Sequence, residues 1–133
     1  MTNTTGRGLS ATGPQLIFSE DGSRCYAYCG QHTLNNSTAT HFQFAPHKHL
    51  IEGMYQITFD FTNMDNNRMS GFDIYFNDVL VVELKSTYQD GEAAVPLPFY
   101  LSIPPLTAVK ITASTQLPSN LPSFGVFLGT VHK

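Results

Sequence analysis

From Met54 to Thr62 the chain alternates without a fault. Tyr55, Ile57, Phe59 and Phe61 share one parity, and Gln56, Thr58, Asp60 and Thr62 share the other. A period of two puts these sets on opposite faces of a β-strand, whereas a helix would scatter the apolar set around its circumference. A strand with one apolar and one polar face belongs to an antiparallel sheet that packs on one side. No long run with 3.6-residue periodicity occurs elsewhere, so no substantial helix is expected.

Shorter runs of the same kind follow one another between turn residues. Leu16-Ile-Phe18 precedes the turn Glu20-Asp-Gly-Ser23. Arg24-Cys-Tyr-Ala-Tyr-Cys-Gly30 alternates, with Cys25, Ala27 and Cys29 on one face and Tyr26 and Tyr28 on the other. A polar loop is expected over 32–38, and Thr40 to Phe44 alternates until Pro46. Phe72, Ile74 and Phe76 point inward, with Asp73 and Tyr75 outward. Asn77-Asp78 then reads as a two-residue hairpin turn, because Asn and Asp tolerate the positive φ such turns need. Val79 to Leu84 is apolar at both parities, which predicts a strand covered on both sides.

Residues 85–97 read as a long connection. Phe99, Leu101 and Ile103 alternate up to Pro104-Pro105, which lack the N–H groups that pairing requires. Thr107 to Thr115 places Val109, Ile111 and Ala113 inward, with Lys110 and Thr112 outward. A Pro-containing loop over 117–122 leads to a last strand, Phe124 to His132, with Phe124, Val126 and Leu128 opposite Phe127 and Val131. The sum is an all-β fold, a single antiparallel β-sandwich of jelly-roll type with roughly eight or nine strands. Residues 1–13 read as a polar arm and residues 14–133 as the sandwich, with no second module expected.

Composition bears on what such a sandwich does. Of the 133 residues 41% are hydrophobic, including ten Phe and six Tyr, enough for a core without metal or disulfide. Charged residues supply only 13%, about half the usual share, and that suits a protein packed against neighbours. A net charge of −3 with scattered Lys and Arg leaves no footprint for nucleic acid. No apolar run approaches the roughly eighteen residues of a membrane helix. The first residues lack a signal-peptide pattern, so synthesis and retention in a cytoplasm are expected. Cys25 and Cys29 would lie about 13 Å apart along a regular strand. That is beyond the roughly 4.4–6.8 Å a disulfide spans, so both read as small buried thiols.

Candidate chemistry comes from a few groups. His41, His47 and His49 lie close in sequence, with Glu52 beyond them, and could offer metal ligands. The alternative, an exposed loop over 45–49 after a strand, better suits the lack of a third properly placed ligand and of groups to orient it. His32 and His132 stand alone. Asp60, Asp65, Asp73 and Asp78 could include a carboxylate pair, but Asp is common at strand ends and turns. Met64-Asp-Asn-Asn67 lacks the Gly and closing Glu of a calcium loop. Gly6-Arg-Gly8 is too short to cradle phosphate. The triplets at Asn3 and Asn36 match glycosylation sites but come without a secretory signal. Tyr26, Tyr28, Tyr75, Tyr88 and Tyr100 could form a stacking platform for sugars, although at least half should cap the core. No catalytic, cofactor-binding or metal-binding residue is assigned.

The order of segments carries a resemblance. Tyr26-Ala-Tyr-Cys-Gly30, Phe42-Gln-Phe44, Leu50 to Phe59 and Asp73 to Val81 are followed by Leu101-Ser-Ile-Pro-Pro-Leu-Thr-Ala-Val-Lys-Ile-Thr112 and Gly125 to His132. This series resembles small β-sandwich virion structural proteins of tailed phages and aquatic viruses, chiefly at Ile103-Pro-Pro-Leu-Thr-Ala-Val-Lys110. Cys29 stands where that group has a small hydroxyl residue, and Asn77-Asp78 stands for Asn-Gly. The resemblance implies a capsid decoration, cement or minor capsid protein on the outer shell, without enzymatic activity. Its partners would be the major capsid protein or neighbouring virion proteins, and it would be a homo-oligomer, a trimer being favoured. Two other functions stay open: a carbohydrate- or receptor-binding module of a fibre or tail, and a small metal-dependent enzyme built on the histidine cluster.

Overall fold

A computed structural model describes residues 15–60, 69–87 and 95–133. The polar arm, Phe61, Thr62, the 64–67 segment, Asp65 and Tyr88 lie outside the described residues. Nine strands run in chain order: β1 (Ile17–Phe18), β2 (Arg24–Leu34), β3 (Thr38–Phe44), β4 (Leu50–Phe59), β5 (Met69–Phe76), β6 (Val79–Thr87), β7 (Val95–Ile103), β8 (Val109–Thr115) and β9 (Leu121–His132).

They form a five-stranded sheet, β1-β2-β9-β4-β7, and a four-stranded sheet, β3-β8-β5-β6. Every pairing is antiparallel. Apart from the hairpins β1–β2 and β5–β6, each step along the chain crosses from one sheet to the other. With β1 set aside, four strands face four in the order of a jelly roll.

The inner faces supply the core. Tyr55, Ile57 and Phe59 of β4 are fully buried, as the alternation requires, together with Phe42, Phe72, Ile74, Ile111 and Phe127. Aromatic rings meet edge to face across the two layers. Phe42 and Tyr55 lie 5.8 Å apart, Tyr55 and Phe72 5.1 Å, and Phe72 and Phe99 5.8 Å between centroids. Such pairs add to the gain from burial alone.

Several boundaries differ from the sequence reading. The expected polar loop at 32–38 is mostly strand: β2 runs on to Leu34, and β3 resumes at Thr38. The expected connection 85–97 is shorter, because β6 reaches Thr87 and β7 starts at Val95. β9 starts at Leu121, where Leu121 enters the core in place of a loop position. The strand β6 is not covered on both sides. It is an edge strand, with Val79, Leu80, Val81 and Leu84 exposed. A bulge on β6 at Val81, where Tyr75 pairs with Leu80 but Ile74 with Val82, explains its unbroken apolar run. The extra residue shifts the parity, so no single alternation could persist through it.

The turn at Asn77-Asp78 is as expected, with φ of 49° and 67°. Its fit is tightened by the Ala108 N–H, which donates to the Asn77 side-chain oxygen.

Candidate interaction surface

The outward face of the five-stranded sheet carries an unusual pattern. Strand register aligns Ile17 with Tyr26, Tyr26 with Leu128, Leu128 with Met54, and Met54 with Tyr100. One apolar row thus crosses all five strands. Leu128 is 53% exposed and Tyr100 78% exposed, while Met54 is half-buried among them. The next row holds Tyr28 (57% exposed), Val126 and Gln56, and the one after it holds Phe124 and Thr58. On the other side lies a polar row, Arg24, Thr130, Glu52 and Ser102. The Glu52 carboxylate lies 2.8 Å from His132 Nε2 and accepts a hydrogen bond from the Ser102 hydroxyl. Shallow depressions sit between these rows, one lined by Tyr26, Leu128 and Arg24 and another by Tyr28, Val126 and Phe124.

This face brings together Tyr26, Tyr28 and Tyr100 of the tyrosines singled out above. They stand out from the sheet and do not cap the core, because β2 and β7 turn Cys25, Ala27, Leu101 and Ile103 inward instead. Tyr75 lies on the outer face of the other sheet, where the Lys110 ammonium sits 4.8 Å from its ring centroid. Among the described residues the carboxylates singled out above are not brought together. Asp73 pairs with Lys85 at 2.8 Å, and Asp78 occupies the hairpin turn. Asp60 follows β4 at the opposite end of the sandwich, where its N–H donates to the Pro122 carbonyl.

The histidines separate in the same way. A bulge in β3 between Thr40 and Phe42 breaks the alternation there and turns both His41 and Phe42 into the core. His41 Nδ1 lies 3.0 Å from the Tyr55 hydroxyl, and Nε2 lies 3.0 Å from Ser123 Oγ. Ser123 Oγ in turn donates to the His32 carbonyl. One proton assignment satisfies every group: Tyr55 donates to Nδ1, and Nε2–H donates to Ser123. His41 is therefore a neutral imidazole, and burial, helped by the nearby His32 ring, holds its pKa down at about 3. Both ring nitrogens are engaged inside the core, so His41 is not a metal ligand beside His47 and His49. Those two lie in the loop after β3, with His47 stacked on Phe18 at 4.9 Å and accepting the His49 N–H. Among the described residues no group of three or more His, Cys, Asp or Glu side chains could hold a metal.

His32 is not alone either, since its ring packs 5.3 Å from that of His41. A serine bonded to a histidine suggests a nucleophile and its base. Here Ser123 and His41 are both fully buried, so the pair has no access for a substrate and serves as a polar pin between the sheets. Cys25 is buried and Cys29 half-buried, and both are free thiols. Burial pushes each pKa up to about 11, which leaves little thiolate.

No protein-family model matches the chain, and no curated protein matches it. Among solved structures it is similar to a chain in the structure of infectious bursal disease virus, Gx strain, with a TM-score of 0.53 and 17% identity. The match covers 84% of this chain and 33% of that one, so the chain spans about a third of the length of its structural relative. The likeness is one of fold.

Proposed function

We propose that this chain is a structural protein of a virus particle. In this reading it is a jelly-roll unit that decorates or cements the outer shell and uses its five-stranded sheet for contact with a neighbouring protein chain. The observation that carries the proposal is the apolar row from Ile17 to Tyr100 on the outward face of that sheet. A solvated antiparallel sheet face is ordinarily polar. A contiguous apolar face with a polar rim marks a protein–protein contact. The low share of charged residues supports the same reading, because contacts between Thr- and Asn-rich surfaces desolvate few charges. Further support comes from the fold likeness to a chain of a virus structure and from the segment around Ile103 to Lys110. The chain then does no chemistry of its own.

Immunogold labelling of intact particles with antibodies against residues 15–133 tests the proposal. Regular labelling over the shell is expected. Labelling that appears only after the particles are disrupted would refute a place on the outer surface.

A second reading is favoured by one observation. Tyr26 and Tyr28 point outward two residues apart on β2, roughly 6.6 Å from each other, a spacing on which sugar rings can stack. A receptor-binding role predicts hits on a glycan array that vanish in the Tyr26→Ala/Tyr28→Ala variant. An array without hits removes it.

A further inference from the structure

We propose that the partner across the outward face of the five-stranded sheet is a second copy of this chain, stacked sheet on sheet about a two-fold axis running along β9. The inference rests on the reading of that face as a protein-contact surface and names what it contacts.

The argument is one of self-complementarity. The strand β9 lies between β2 and β4, and register fixes which residues stand level across the three. A two-fold axis along β9 lays the partner's β4 over β2 and the partner's β2 over β4. In the apolar row, Leu128 then meets the partner's Leu128, and Tyr26 covers the partner's Met54, twice per pair. In the next row Val126 meets its own copy, and the Tyr28 hydroxyl faces the partner's Gln56 amide.

The polar row decides between a second copy and an unrelated protein. Arg24 and Glu52 stand level with Thr130, one on each side of β9, each about 4.8 Å away. The same axis sets Arg24 against the partner's Glu52 and Glu52 against the partner's Arg24. Among the described residues no carboxylate pairs with Arg24. The Glu52 oxygens that meet His132 and Ser102 keep lone pairs for a guanidinium. One cation and one anion placed symmetrically about the central strand make the face its own electrostatic complement.

Size is consistent as well. Four full strands and the four rows from Arg24 to Phe124 span roughly 19 Å by 23 Å, with Ile17 of the two-residue β1 beyond them. That footprint of about 440 Å² in projection, enlarged by side-chain relief, lies at the small end of specific interfaces, below about 600 Å² per partner. Because both sheets twist, they touch best at their centre, which is where Leu128 lies; Ile17 and Tyr100 fall at the rim. The arrangement is two-fold, in contrast to the trimer that the sequence resemblance favours.

Sedimentation velocity of the purified full chain at micromolar concentration gives the test. The expected mass is that of a dimer, and Leu128→Asp is expected to be a folded monomer that still unfolds in one cooperative transition, at a temperature that no longer depends on concentration. Arg24→Glu or Glu52→Arg alone should weaken pairing about tenfold, and the double variant Arg24→Glu/Glu52→Arg should restore it. A trimer, a dimer indifferent to Leu128→Asp, or a double swap without rescue would overturn the pairing. A monomeric wild type overturns it too, and incorporation into particles then separates the two claims. Loss of Leu128→Asp from particles keeps the surface as a contact with another protein, while its normal incorporation removes the surface reading as well.

Discussion

Acid should loosen this fold chiefly through one buried residue. His41 is neutral in the core, with Nδ1 accepting from Tyr55 and Nε2 donating to Ser123. A second ring proton would turn the Tyr55 hydroxyl from donor to acceptor, taking its own proton away from Nδ1, and put a charge among Phe42, Cys29 and the His32 ring. The native pKa is accordingly near 3, against 6.5 for an ordinary histidine. Between those values the unfolded chain binds a proton that the folded chain does not. The stabilisation is therefore complete above pH 6.5 and is lost as the pH falls, with a slope approaching ~1.4 kcal/mol per pH unit. By pH 5 the loss is about 2 kcal/mol, a large part of the stability of a small domain.

Asp21 does not confuse this window. Its carboxylate accepts from Ser19 and Ser23, which holds its pKa well below 3.8, and its own contribution is lost only in stronger acid. Urea unfolding at several pH values from about 7.5 to 4.5, repeated with His41→Gln, measures the effect. The variant, which has no group titrating there, should show a flatter dependence by about one proton. Equal slopes in the two proteins, or a His41 imidazole that titrates near pH 6.5 by NMR, would refute the reasoning.

Three further outcomes follow from the same structure. Gly125→Ala should cost about 1–3 kcal/mol by overpacking, because a Cβ there would stand 2.7 Å from His41 Nδ1 and 3.1 Å from the Phe42 ring; an unchanged urea midpoint would count against the packing around His41. Cys25 and Cys29, raised from 9.0 to about 11, should alkylate about 100-fold more slowly than ordinary thiols at mild pH and react fully in denaturant; rapid modification of the native protein would contradict this. Removing residues 1–12 should leave the melting temperature unchanged but reduce incorporation into particles, measured by quantitative blotting, and normal occupancy would dismiss a role for the arm.

The sequence carries the inward set well, because burial on one face of a strand writes itself as alternation. Tyr55, Ile57 and Phe59 lie where the period of two puts them, as do Cys25 and Ala27. The Asn77-Asp78 turn was equally readable, since few residue pairs tolerate two successive positive φ angles. Three things were not. The bulges at His41 and Val81 reverse parity without a residue type that announces them, so His41 reads as a candidate metal ligand and β6 as a doubly covered strand. Edge position depends on sheet order, which crossovers decide and local pattern does not. Above all, the row from Ile17 to Tyr100 joins residues as far apart in the chain as Ile17 and Leu128, and only register aligns them. The tyrosines could be singled out from sequence, but the shared face could not.

The central claim is that this jelly roll is a stoichiometric part of a virus shell. Quantitative mass spectrometry of purified particles, with copy number taken relative to the most abundant shell protein, tests it most directly. The account predicts a fixed ratio that survives further purification and is the same from one preparation to the next. Absence from purified particles, or a trace amount that declines with each round of purification, would contradict it.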